Sequence, residues 1–416
     1  MKKLLIVALA MMVSGGAFAQ MAQVKEATKL ANSGKPAEAV KILESAISGA
    51  DVTAKDKAAA YNAVAVAFFK QFQDQQTIDI MNKAKGEAKP VDKVLMGNGI
   101  YEAYNYFLKS DEFDVQPDEK GKVKMKFRPE ISKNYFALRP QLINCGQNFY
   151  TDKDYENAKK LWGMYLDTRK APLFADHAAE PDQYEGQIAY YISFLAYQTE
   201  DFDCYKKYIA IALADTAQAQ AAEEINVAML QNRFVATKAA DDSIAFLNAA
   251  KAAHEKYPDV QRYFDVIARC YSENPAALLK FMDEEIAKNP NAPLPYQYKG
   301  DMAMNNQKFE DAIVLFKKVV DLEPENIAAN FNLGVCYYNK ANTLKDELSD
   351  KKTGALTVAN AEKVKVILAD AQTYLEKARQ LDPEQETCRW AYILANTYYV
   401  RGESAKYEEV SKFIKK

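Results

Sequence analysis

Histidine is nearly missing from this 416-residue chain, which has only His177 and His254. Neither stands in an H-E-x-x-H arrangement or at another metal-ligand spacing, so no metal site is expected. Glycine and proline are sparse, at 15 and 14, which disfavours a turn-rich β architecture and favours long helices. Charge of one sign is missing too. The chain has 54 basic and 57 acidic residues, a formal net charge of −3 and no long run of either sign. A phosphate backbone calls for a concentrated basic face, so nucleic-acid binding finds no support. A polybasic membrane patch is equally absent. No Gly-rich phosphate loop and no Gly-x-Ser-x-Gly appears. Gly97-Asn98-Gly99 is a lone G-x-G without a third glycine or a preceding strand. No cofactor is implied.

What is present is a folded protein's balance, 49% apolar and 27% charged, with 26 Tyr and 20 Phe to build an aromatic core. The start carries one further pattern. Lys2 and Lys3 precede an apolar run from Leu4 to Val13, and Ala17-Phe18-Ala19 supplies a small-x-small cleavage signature. A secretory signal peptide over 1–19 is expected, cleaved after Ala19. The apolar run is short for a membrane anchor, and no later segment is long and apolar enough to span a bilayer. No Cys sits near the cleavage point, which argues against a lipoprotein. The short Lys-Lys signal has a bacterial look, and the implied address is the periplasm.

Internal repetition is strongest towards the end. From Pro293 to Asn326 come Tyr296, Gly300, Phe309, Ala312, Ile313, Phe316 and Pro324. Small residues there let two antiparallel helices approach, aromatics fill the space beside the crossing, and the proline stops the second helix. The next unit has Asn330, Leu333, Gly334 and Tyr337 in its first half, and Ala371, Leu375, Ala378 and Pro383 in its second. Between the halves lie about 25 residues beyond the usual 34-residue period. This insert, near 342–368, reads as an extension of both helices. Leu394, Ala395, Tyr398 and Gly402 begin a third unit, and Lys406 to Ile414 reads as a charged closing helix.

These residues resemble the tetratricopeptide-repeat (TPR) family over 293–416, with a weaker echo upstream. Cys145, Gly146, Phe149, Tyr155, Ala158 and Trp162 repeat the spacing. Ser193, Phe202, Tyr205, Ile209 and Ala212 do so more loosely. Pro36, Ala39, Leu43 and Ala46 look like the second helix of an opening repeat, and Leu278, Met282 and Pro290 close another unit. The resemblance implies an all-α fold, a right-handed superhelical array (solenoid) of antiparallel helix pairs. Three segments are expected: degenerate repeats over 20–176, more degenerate repeats over 177–290, and clear repeats over 291–416. Irregular stretches interrupt the rhythm at Asp111–Phe127, Lys170–Pro181 and Asn289–Pro295. In the first, near 111–128, alternating Val123, Met125 and Phe127 read as one short strand or hairpin arm.

Candidates for chemistry are few. His177 lies in a loop beside Asp176, and His254 late in a helix. Five cysteines, Cys145, Cys204, Cys270, Cys336 and Cys388, are scattered without a C-x-x-C, and read as small buried hydrophobes. Cys336 to Cys388 is the one bridge worth testing. The acidic clusters read as solvated faces or helix starts. An enzyme is not expected.

By the TPR resemblance, four positions of each first helix point into a concave groove. In the clear repeats these are Gln297, Asp301 and Met304, then Phe331, Val335 and Tyr338, then Tyr392, Asn396 and Tyr399. The set is aromatic and largely neutral. It lacks the Lys, Arg and Asn clamp of TPR grooves that grip acidic peptide tails. An apolar or extended peptide, or a neighbouring protein's helix, fits better. The implied function is a periplasmic scaffold or adaptor. The alternative is a carbohydrate- or nutrient-binding component of an envelope uptake system, with a glycan stacked on the tyrosines. Equally, these aromatics could be covered by the protein's own helices.

Overall fold

The computed structural model describes residues 20–49, 52–86 and 88–414. The expected export signal and its cleavage point lie outside them. Among the described residues the chain is all-α, and its only β feature is an isolated antiparallel bridge between Pro117 and Val123. The chain divides into two compact units after Val260, inside the 177–290 segment.

The first unit contains α1 (20–32), α2 (Pro36–Ala46), α3 (Ala54–Lys85), α4 (Lys93–Asp114), α5 (Arg128–Tyr135), α6 (Pro140–Thr151), α7 (Tyr155–Arg169), α8 (Glu185–Gln198), α9 (Phe202–Ala214), α10 (Ala219–Thr237) and α11 (Ala240–Lys256). The second contains α12 (Gln261–Cys270), α13 (Pro275–Lys288), α14 (Pro293–Asn305), α15 (Phe309–Leu322), α16 (Ile327–Leu348), α17 (Val358–Leu381), α18 (Trp390–Arg401) and α19 (Ser404–Ser411). Sequential helices pair as hairpins: α3 with α4, α6 with α7, α8 with α9, α10 with α11, α14 with α15, α16 with α17, and α18 with α19.

One turn recurs in both units. Gly34, Lys153, Glu200, Gln307 and Gly402 all have positive φ, between +54° and +81°, and each stands two residues before the second helix of its pair. The following N–H closes the same backbone ring each time: Lys35 to Leu30 O, Asp154 to Phe149 O, Asp201 to Ala196 O, Lys308 to Ala303 O and Glu403 to Tyr398 O, at 2.8–3.0 Å. This is a Schellman closure, which satisfies a helix-end carbonyl and reverses the chain. Three of the five left-handed residues are not glycine, a strain of about 1 kcal/mol each that packing of the paired helices must offset.

The helix crossings repeat as well. A Cβ added at Gly300 would lie 2.8 Å from the Phe316 ring, and one at Gly334 would lie 2.6 Å from Leu375. Gly146 meets Trp162 in the same way, at the same offset along the chain as Gly300 and Phe316. The weak echo at 145–162 is therefore a full hairpin. Phe316 and Trp162 are buried, and each sits where its glycine leaves room. Gly97 and Gly99, the lone G-x-G of the sequence, are packing glycines inside α4. A Cβ on Gly99 would reach the α3 backbone, 2.9 Å from Phe72 N and 3.0 Å from Phe68 O.

The segment after Asp111 departs from the strand or hairpin arm expected there. Its first residues continue α4 to Asp114, and the rest is a turn. The Asp114 carboxylate accepts the backbone N–H groups of Lys126, Phe127 and Arg128 at 2.7–2.9 Å. Arg128 pairs with Asp111 through two hydrogen bonds. Two acids one turn apart at the end of α4 thus capture the start of α5, and the Val123–Phe127 alternation forms no strand beyond the single Val123–Pro117 bridge.

Lys170–Pro181 is a loop with a 3-10 turn at Pro172–His177. It is anchored by a buried cation. Arg139 is 3% exposed, donates to Thr168 Oγ1 at 3.0 Å and to Tyr165 O at 2.5 Å, and lies 3.7 Å from Asp182. Burial pushes its guanidinium below the ordinary arginine value, and Tyr165 and Asp182 counter that. In the second unit α16 runs on to Leu348 and α17 starts at Val358, within the 342–368 stretch. Ala341, Val364 and Leu368 are buried along it, and Asp350 closes the tip by accepting from Lys352 N and Thr353 N.

Candidate functional site

The first helices of the C-terminal pairs are α14, α16 and α18. Helix α14 touches α16, and α16 touches α18, so the three lie in sequence along one face. Each carries its predicted residues at i, i+4 and i+7, the spacing that puts side chains in one stripe of a helix.

The structure splits the nine residues into three kinds. Met304, Phe331 and Tyr338 are half-buried and pack against the C-terminal core. Gln297, Asp301, Val335 and Asn396 are half-buried without belonging to that core. Tyr392 and Tyr399 are open, 63% and 70% exposed, with the Tyr399 ring 5.7 Å from Tyr407 of α19. The difference follows from position in the array. The stripe on α16 has a first helix on each side, whereas α18 adjoins one first helix, α16, among the described residues.

Three further residues join this face. Asn332 of α16 donates to Asp301 Oδ1 at 3.0 Å, and Tyr298 of α14 donates to Asp265 Oδ1 of α12 at 3.2 Å. Each bond crosses from one first helix to the preceding one, over 31 and 33 residues of chain. That separation is close to one TPR period, the signal by which the pairs could have been found. Burial pushes the Asp301 carboxyl up to about 6, and the Asn332 amide opposes the shift. Beside Tyr298 lies a cleft of about 450 Å³ whose walls include Asp265, Arg269, Ser272 and Leu278.

A second cleft, of about 400 Å³, lies among α17, α18 and α19. Its charges answer one another: Arg379 pairs with Glu409 at 2.5 Å, Lys406 with Glu376 at 3.3 Å, and the Tyr398 hydroxyl donates to Glu376 at 2.7 Å. This network fastens the last hairpin.

The thiols do not follow one pattern. Cys145, Cys336 and Cys388 are buried, Cys204 is half-buried, and Cys270 is exposed at the end of α12, so the reading of five buried hydrophobes fails for Cys270. All five are free thiols, including Cys336 and Cys388. Burial pushes Cys145, Cys336 and Cys388 up to about 12 and Cys204 to about 11, and desolvation also raises Cys270. Thiols held protonated in this way are poor nucleophiles. His177 stacks on Phe136 with ring centroids 4.0 Å apart, and its Nδ1 lies 2.6 Å from Glu180. His254 is buried in α11. The histidines and the nine stripe residues thus fall in different units.

No family model matches the chain. A TPR repeat-containing protein of Methanocaldococcus jannaschii is 27% identical over 164 residues, which is 35% of this chain and 28% of that protein. The chain thus spans little more than a quarter of that relative's length. Among solved structures, yeast Tom70 overlays with a TM-score of 0.33 at 15% identity, covering 98% of this chain and 80% of that one. Human IFIT1, solved as a dimer with m7Gppp-AAAA, overlays with a TM-score of 0.28 at 15% identity, over 85% and 67%. Overlays this loose say nothing about ligands. By its repeat sequence, its recurring turn and its small-against-large helix crossings, the chain is an all-α protein built of TPR-like helix hairpins.

Proposed function

We propose that this chain is a periplasmic scaffold or adaptor that holds a protein partner on the first-helix face of its C-terminal unit. A TPR-like helical repeat fold suggests a protein–protein interaction scaffold. The observation that carries the finer reading is the pair Tyr392 and Tyr399. Two large aromatics on one stripe of α18 are left 63% and 70% exposed, next to stripes on α16 and α14 that are already half-covered. Exposed tyrosines of this kind bring large contact area at low entropic cost and are enriched where proteins meet. The export part rests on the signal pattern over 1–19.

The structure also selects the right variants. Phe331 and Tyr338 pack against the core, so truncating them would confound binding with stability. Tyr392 and Tyr399 can be changed without opening it. Capture from cross-linked envelope extracts with the wild-type chain as bait is expected to enrich a partner. The Tyr392→Ser/Tyr399→Ser chain is expected to lose at least about tenfold of it, as for two central aromatic contacts, with an unchanged melting temperature. Full retention by the double variant, or no enrichment by either bait, would sink the proposal.

A further inference from the structure

The nine stripe residues of the proposed binding face are neutral except at one position. Of its nine side chains, Asp301 alone carries a full charge at neutral pH. It sits half-buried on α14, and its one hydrogen-bond donor among the described residues is the Asn332 amide. A carboxylate has about four acceptor sites, so Asp301 can accept further bonds beside the one from Asn332. The neighbouring groups supply no cation. They are the Asn332 amide and the Cys336 thiol on α16 and the Tyr298 phenol on α14 itself. Arg269, on α12, lines the adjoining cleft together with Asp265. An ionised carboxylate taken part-way out of water without a cation is poorly held. Here it stands on a helix that adjoins the apolar stripe of Phe331, Val335 and Tyr338.

Building on the adaptor reading, we infer that the partner segment is basic: a lysine or arginine side chain enters this face and pairs with Asp301. The cation would supply the charge-assisted bonds that Asp301 lacks. Its aliphatic stem would lie along the apolar stripe of α16, and the aromatic faces there would favour the charged head. The neutral, aromatic surroundings reject acidic segments, because a second anion would meet Asp301 with nothing to neutralise it.

Panning a phage-displayed random dodecapeptide library on the full chain at about pH 7.5 tests this. The wild type is expected to enrich peptides with Lys or Arg flanked by apolar residues. Asp301→Asn, shown folded by circular dichroism, is expected to lose that basic preference. The affinity of an enriched peptide should fall about tenfold between pH ~7.5 and pH ~5, as protons compete for Asp301, and the fall should vanish in Asp301→Asn. Enrichment of peptides without basic residues would overturn the inference while leaving the docking reading intact. Basic peptides held equally well by Asp301→Asn would overturn it too. Recovery of no peptide would overturn both.

Discussion

Phe316→Ala is expected to destabilise the C-terminal unit by about 3–5 kcal/mol, among the larger losses a single core truncation causes. Phe316 is fully buried, and its ring fills the space opened by Gly300 on the partner helix. Removing the ring loses its transfer free energy and leaves a cavity facing Gly300, which has no side chain to fill it. Helix propensity cannot rescue the variant, since Ala exceeds Phe there by only about half a kcal/mol. The chain's two tryptophans make the effect readable. Trp162 lies in the first unit and Trp390 in the second. Urea unfolding followed by Trp390 fluorescence, with Trp162→Phe carried in both proteins, reports on the second unit. A midpoint shift worth less than about 1 kcal/mol would mean that the crossing is not packed as described.

Asp301→Asn is expected to act in the opposite direction, raising stability at neutral pH by about 1–2 kcal/mol. Burial lifts the Asp301 carboxyl from an ordinary value of 3.8 to about 6 in the folded chain. Between those values the folded state binds more protons than the unfolded state, so stability falls as pH rises. Below about pH 4 both states are protonated and the site costs nothing. Above about pH 6 both are ionised and the full penalty stands, at about 1.4 kcal/mol for each tenfold difference in proton affinity between the two states. Solvent reaches the half-buried carboxylate and screens part of that penalty, which brings it down to the 1–2 kcal/mol range, to order of magnitude about one tenfold step in stability. The asparagine stays neutral throughout and can still accept from Asn332. Denaturant titrations at several pH values should therefore show a wild-type decline between pH ~4 and ~6 that is missing in Asp301→Asn. Parallel curves for the two proteins would show that Asp301 is solvated as an ordinary surface acid. A residue that weakens the fold at neutral pH and faces a proposed docking surface fits the general pattern in which function is maintained at a cost in stability.

The repeats were legible where side-chain size carries the geometry. Gly300 with Phe316, and Gly146 with Trp162, could be read because a small residue opposite a large one leaves a fixed spacing in the sequence. The turns were less legible. Gly34 and Gly402 mark two of them, but Lys153, Glu200 and Gln307 adopt the same left-handed conformation without a glycine to announce it. The alternation at Val123–Phe127 misled because the deciding contacts come from Asp111 and Asp114, whose partners 12 to 17 residues on no local pattern marks. The proposed face was legible as three stripes but not in its depth. Helical spacing alone could not tell that Phe331 and Tyr338 pack against the core while Tyr392 and Tyr399 stand open. The Asp301–Asn332 and Asp265–Tyr298 pairs are tertiary contacts, and only the roughly one-repeat separation of their members hints at them.

The claim that the first-helix face holds a partner is tested most directly by placing a photo-crosslinking amino acid at Tyr399, and in a second protein at Val314. Both positions are open, 70% and 69% exposed, but Val314 lies on α15, a second helix. Irradiation in living cells should give a discrete protein adduct from position 399 and none from position 314. Adducts from 314 alone, or equal adducts from both, would contradict the account.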